Sequence, residues 1–206
     1  MSESCTSGLS GKNELDNLKL SKRREIRILK IDALKIHQIK NDEDQYFAEF
    51  WKIYSTSFPL NERRVSTQQT DVFKKQEYQV DIYLSDNHVV GFIAFWTTKD
   101  FIYIEHLAIA PEVRSKGLGS AILKPFIERE PIPIILEIEP TIDDLTSRRL
   151  KFYESLGFIR NDHLHFQPPY HPEDQPLKFE ILTYPHQISA DLYFQFSQFQ
   201  KNTVMS

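Results

Sequence analysis

The sequence predicts an α/β fold with a mixed central sheet and helices on both faces. Three observations carry this. Short β-branched and aromatic runs follow one another across tight turns in the first half of the chain, as hairpins do. Further on, such runs alternate with segments of helical period, as in α/β layers. The 206 residues are 40% hydrophobic and 13% aromatic, enough for one domain with a full core, with or without a tail.

The elements read in order as follows. Residues 1–22 are rich in Ser, Asn, Lys and Gly without periodicity, and are expected to form a flexible leader. Residues 25–31 fit a first strand through Ile26 and Ile28. Residues 42–55 carry Tyr46, Phe47, Phe50, Trp51 and Tyr54 at i, i+4, i+8 spacing, an aromatic core stripe of a helix. Ser57–Arg64 breaks it, and a short helix is expected around 67–75. Strands at 78–84 and His88–Thr97 flank Ser85-Asp86-Asn87, a hairpin-like turn. A strand at 101–109 precedes a helix at 117–128, which Pro125 is expected to bend or end early. A strand at 132–138, a helix at 146–156, strands at 158–166 and Leu177–Tyr184, and a helix at 189–199 complete the order. The helix at 146–156 is expected to bury Leu145, Phe152 and Leu156, and Gly157 stands where a left-handed cap belongs. The chain thus divides into a leader (1–22), a domain (23–186) and a C-terminal helical element (187–206). That last element packs on the domain or at an oligomer contact, in a monomer or a homodimer.

The most informative stretch is E-H-L-A-I-A-P-E-V-R-S-K-G-L-G-S-A-I-L-K-P-F-I at 105–127. A strand feeds a basic, glycine-containing turn, and the turn opens a helix. The first turn of a helix has free N–H groups and the positive end of the dipole, which together hold anions. Gly117 and Gly119 put no side chain in the way, and Arg114 and Lys116 add charge. The stretch suits a pyrophosphate. It is neither G-x-G-x-x-G nor a nucleotide P-loop, which ends in G-K-[ST].

R-x-x-G-x-G preceded by L-A-I-A-P resembles the acetyl-coenzyme A loop of the GNAT N-acetyltransferase superfamily. A second segment, R-R-L-K-F-Y-E-S-L-G-F at 148–158, is similar to that family's second coenzyme-binding segment. The element order matches over roughly 25–184. The resemblance implies a sheet splayed at a cofactor cleft and transfer of acetyl from acetyl-CoA to a primary amine of a small molecule or peptide. The alternative is a non-catalytic coenzyme A-binding module of the same fold. It further implies that Arg114, Ser115, Lys116, Gly117, Leu118, Gly119 and Ser120 anchor the cofactor, and that the strand Leu107, Ala108, Ile109 offers its backbone to the pantetheine arm. Thr146 stands where the family places a pantetheine-bonding asparagine, and a threonine there can substitute for it or only cap the helix. Tyr153, which spacing alone reads as a core residue with its hydroxyl at the rim, becomes the general acid.

The proton acceptor is sought among strand carboxylates. Glu105 ranks first, with a raised pKa expected in a half-buried cleft, and Glu137 second; Glu139 alternates with Glu137 on the same strand. Structural pairing at a sheet edge is the plainer role for each. His106 is expected on the face opposite Glu105, as a satisfied core histidine. Phe58–Arg64 and 166–172 would form substrate walls, with Arg63 and Arg64 able to grip a carboxylate. His163, His165 and His171 fit no ligand spacing, so no metal is expected. A net charge of −4 argues against nucleic acid as a partner. No run of 18 apolar residues suggests a membrane span. The single cysteine, Cys5, suits a reducing cytoplasm.

Overall fold

The computed structural model describes residues 34–206. The expected leader and the expected strand at 25–31 lie outside the described residues.

The first described element is a strand that the sequence pattern concealed. β1 (Lys35–Ile39) runs antiparallel to β2 (Tyr78–Ser85), from Lys35↔Leu84 to Ile39↔Val80. Its alternation is poor because Ile36 is exposed and only Ile39 is buried. α1 (Phe47–Ser57) starts later than expected, because Asp44 accepts a hydrogen bond from the backbone N–H of Tyr46 and holds the preceding residues in turns. Phe50 and Tyr54 are fully buried, and Phe50 meets Phe92 edge-on at 4.9 Å. A 3-10 turn (Leu60–Glu62) and α2 (Ser66–Val72) follow. β2 and β3 (His88–Thr97) form the expected hairpin. Asp86 and Asn87 lie at φ 50° and 62°, the pair of left-handed residues that a tight hairpin turn requires.

β4 (Ile102–Ile109) pairs antiparallel with β3 and parallel with β5 (Ile134–Ile138). Between them α3 (Leu118–Arg129) crosses one face. Pro125 does not end it. Leu118, Ile122, Leu123, Phe126 and Ile127 bury one stripe against the sheet, and that burial outweighs the single missing hydrogen bond. α4 (Asp144–Ser155) stops at Gly157, whose φ is +92°. Its buried face is Thr146 and Tyr153, with Leu150 half-buried between them, not the expected Leu145 face; Leu145 is exposed. The strand expected at 158–166 is two short pieces, β6 (Ile159–Arg160) and β7 (His165–Gln167). Buried Asn161 interrupts it by donating to the Ile159 carbonyl and to Thr183 Oγ1, while its carbonyl accepts from the Ile188 N–H. β8 (Leu177–Tyr184) and α5 (Ala190–Phe199), extended by a π turn at Gln200–Val204, close the chain.

The sheet runs β1-β2-β3-β4-β5-β8-β6, with β7 paired to β8. Alternate residues of β3 face opposite layers. Phe92 and Trp96 meet α1 and Phe199, the residue that ends α5, while Phe95 stacks edge-on against Phe126 of α3 at 4.9 Å. Phe196 of α5 is fully buried against Phe101 and Tyr103, so the C-terminal element contributes to the core beneath β4.

Candidate active site

β4 and β5 pair only at Ile102↔Ile134, Tyr103↔Ile135 and Ile104↔Leu136. Beyond that point the strands separate, and the gap is a cleft of about 370 Å³. The cause lies in β4. Ala94 pairs with His106 and Phe95 with Ile104, so Glu105 is an extra residue, a β-bulge that bends the strand. The bulge also overturns the expected alternation. Glu105 and His106 lie on the same side, with His106 Nδ1 4.0 Å from the Glu105 carboxylate.

Past the bulge the backbone has donors and acceptors to spare. Ala110 N–H bonds to the Val90 carbonyl, so by alternation the polar groups of Ala108 and His106 face β3. Those of Leu107 and Ile109 therefore face the cleft. Arg114 Nε donates to the Ile109 carbonyl at 3.0 Å, which fits that direction. An extended ligand arm can add itself here as a strand would.

At the cleft's end stands the N-terminus of α3. Gly117 is its N-cap at φ +76°, a conformation that a side chain strains, and a Cβ there would meet nothing within 4 Å. Ala121 N–H reaches the Gly117 carbonyl, so the N–H groups of Leu118, Gly119 and Ser120 are the helix's unpaired first-turn donors. Ser115, at φ 63°, helps to turn the loop. Gly119 has a different reason to be glycine: a Cβ would lie 3.2 Å from the Phe152 ring, so it lets α3 and α4 close together.

Residues 76–160 match the family model described as an acetyltransferase (GNAT) domain. A solved GNAT-family protein from Bacteroides thetaiotaomicron superposes with a TM-score of 0.77 at 25% identity, covering 83% of this chain and 98% of its own. The fold is the GNAT fold, and residues 76–160 carry the similarity to the acetyltransferase domain. Other GNAT folds superpose less closely. Arabidopsis thaliana Naa50, solved with the bisubstrate analogue CoA-Ac-MVNAL, gives a TM-score of 0.52 at 18% identity over 73% of this chain and 97% of its own. A Salmonella typhimurium protein solved with its cofactor acetyl-CoA gives 0.52 at 20% identity over 77% and 97%. No curated protein matches the sequence.

In this GNAT cleft the sequence-named residues meet unevenly. Leu107, Ala108, Ile109, Arg114, Glu105, Glu137 and Tyr153 all line it. Tyr153 is largely buried, and its hydroxyl has no hydrogen-bond partner among the described residues. Burial pushes its pKa up to about 12 against a weaker pull from Arg149. The Thr146 hydroxyl is spent on the helix cap: it accepts from the backbone N–H groups of Ile142 and Asp143, while Asp143 Oδ1 accepts from the Thr146 N–H at 2.8 Å.

The two ranked carboxylates are both bonded within the protein. Glu105 Oε1 accepts from Arg64 and Tyr170, each at 2.8 Å, and Oε2 accepts from Trp96 Nε1 at 2.9 Å. Burial raises its pKa, but Arg64, His106 and these donors outweigh burial and leave it lowered, contrary to the expected rise. Glu137 is bonded to His165, Tyr103, Gln167 and Gln200, which together occupy both oxygens. Arg64 already grips the Glu105 carboxylate, and Arg63 is turned partly to main-chain carbonyls. Arg64 is buried between the rings of Tyr78, Trp96 and Tyr170, and Arg63 donates to the carbonyls of Phe58 and Arg64.

One cleft residue went unnoticed in the sequence. Glu62, in the 3-10 turn, lines the cleft half-buried, and no hydrogen bond or ion pair engages its carboxylate among the described residues. Burial, then Glu139, raise its pKa, while Arg149 pulls it down less strongly. It stands in the segment expected to wall the substrate, but nothing in the string N-E-R-R marks it apart from its neighbours.

Proposed function

We propose that the protein is an acetyl-CoA-dependent N-acetyltransferase that acts on a primary amine of a small molecule or peptide by direct transfer. One observation carries the reading: strand backbone at Leu107 and Ile109 that β5 leaves unpaired leads into a helix N-terminus without a side-chain cap, and a tyrosine hydroxyl lines the same cleft.

Bound here, acetyl-CoA supplies an activated acetyl thioester. The N–H groups of Leu118, Gly119 and Ser120 hold the pyrophosphate, with Arg114, Ser115, Lys116 and Gly117 shaping the loop around it. Leu107, Ala108 and Ile109 align the pantetheine, and a backbone N–H of β4 polarises the thioester carbonyl. Tyr153 gives its proton to the departing thiolate. Thr146 acts by fixing the start of α4, which positions Tyr153 two turns later. Glu105 and Glu137 shape the cleft floor by their bonds rather than by accepting a proton.

The test is calorimetry with coenzyme A and acetyl-CoA, followed by thiol release over an amine panel. Binding together with amine-dependent release supports the reading. Binding without release leaves the coenzyme A-binding module as the function.

A further inference from the structure

The charged groups of the cleft are paired with one exception. Arg64 neutralises Glu105, His165 bonds Glu137, Arg149 pairs with Glu139, and Arg114 donates to Ser57 Oγ and the Ile109 carbonyl. Glu62 alone keeps a half-buried carboxylate with no hydrogen-bond or ion-pair partner among the described residues. A carboxylate taken from water without compensation costs free energy, so something must keep it there.

The turn that carries it is fastened on every side. His106 Nε2 donates to the Glu62 carbonyl at 2.9 Å. His171 Nε2 reaches the carbonyls of Leu60 and Arg63 at 3.0 and 3.1 Å. Arg63 Nε donates to the Phe58 carbonyl, and the Arg64 N–H donates to the Tyr54 hydroxyl. These bonds fix the main chain of the turn, so the base of the Glu62 side chain is held at the cleft wall. The acid is preorganised for a partner that arrives from outside, and a partner that relieves a lone negative charge is a cation.

We propose that Glu62 receives the ammonium group of the substrate and takes its proton before acetyl transfer, which makes the substrate an amine that is protonated at neutral pH. This rests on the acetyltransferase reading above. The proton balance is complete. Glu62 accepts one proton from R–NH3+ and releases it to solvent through the cleft mouth. The freed lone pair forms the N–C bond as the C–S bond breaks. Tyr153 protonates the thiolate and recovers a proton shed by the new amide nitrogen. Glu139 just beyond β5 and Arg149 on α4 act on Glu62 electrostatically, and Glu105, His106, Arg114, Glu137 and Tyr153 line the same cleft. Burial, then Glu139, raise its affinity for a proton, the direction that a proton acceptor needs.

The test compares wild type, Glu62→Gln and Glu139→Gln with the best amine of the panel. In Glu62→Gln, kcat/KM should fall ~10²-fold at neutral pH, within the range for loss of a general base. The deficit should shrink as pH rises and the amine deprotonates unaided. Coenzyme A affinity by calorimetry should stay unchanged. In Glu139→Gln the acid limb of the kcat/KM profile should move to lower pH, because one group that raises the Glu62 pKa is gone. A Glu62→Gln deficit that is the same at every pH, or no deficit, overturns the proposal. Failure of the wild type itself to bind coenzyme A or to release thiol would instead overturn the acetyltransferase reading, and is read separately.

Discussion

Arg64 and Glu105 form an ion pair at 2.8 Å in which the side chains are 5% and 0% exposed. The pair ties the loop after α1 to the bulge in β4, and Arg64 also donates to the Val204 carbonyl at 2.7 Å, so the C-terminal turn joins the same knot. Removing one partner of such a pair leaves a buried charge uncompensated. Glu105→Gln should therefore cost on the order of 3–5 kcal/mol in urea unfolding. An effect under about 1 kcal/mol would mean that solvent reaches Arg64.

The same pair sets an acid dependence. The Glu105 pKa is lower folded than its ordinary value of 4.5. Its contribution is therefore present above the unfolded pKa and is lost as pH falls through the lower folded value. Wild-type stability should decline below about pH 4.5, and the decline should be shallower in Glu105→Gln. Equal slopes for the two proteins would assign the acid loss to other carboxylates.

The glycines of the loop should separate by cause. Gly117→Val forces a branched side chain into φ +76°, at a cost of roughly 1–2 kcal/mol. It should weaken coenzyme A binding about tenfold or more, which is ~1.4 kcal/mol in calorimetry. Gly119→Trp meets Phe152 and should lower the melting temperature as well as the affinity. Unchanged affinity in both variants would remove the loop from the cofactor site.

Phe196 is fully buried against Phe101 and Tyr103. Phe196→Ala should cost ~3–5 kcal/mol in denaturant, as for other aromatic truncations in a core. A small loss would show that α5 is peripheral to the domain.

Much of this architecture was legible because local chemistry and tertiary packing agreed. Asp86-Asn87 announced a hairpin, and R-S-K-G-L-G announced a helix start behind a left-handed glycine, since both depend on backbone conformations that few residues permit. The failures share the opposite cause. Pro125 reads as a breaker until the five buried residues of α3 are counted against it. The Leu145 face reads as the inside of α4, but the helix docks through Thr146 and Tyr153 beside Phe152. The bulge at Glu105 leaves no mark in I-Y-I-E-H-L-A-I, which alternates as a regular strand would. Because of that bulge, and of Arg64 arriving from 41 residues away, protein donors engage both oxygens of the leading candidate base. Glu62 becomes visible only when its neighbours' pairings are known.

Tyr153→Phe removes one hydroxyl that bonds to no protein group among the described residues, so packing and coenzyme A affinity should hold. kcat should fall ~10²-fold. With its pKa near 12, Tyr153 should stay protonated across the working range, and its loss should not add or remove an alkaline limb there. Wild-type turnover in the variant would leave the hydroxyl a bystander.

The central claim is that the splayed β4–β5 cleft performs amine-directed acetyl transfer. Its most direct measurement is thiol release from acetyl-CoA by the wild-type protein over a panel of primary amines and peptide N-termini, with product mass read in parallel. The account predicts release that depends on an amine, matched by an acetyl mass gain on that amine. Tight coenzyme A binding with no amine-dependent release and no acetylated product would contradict it.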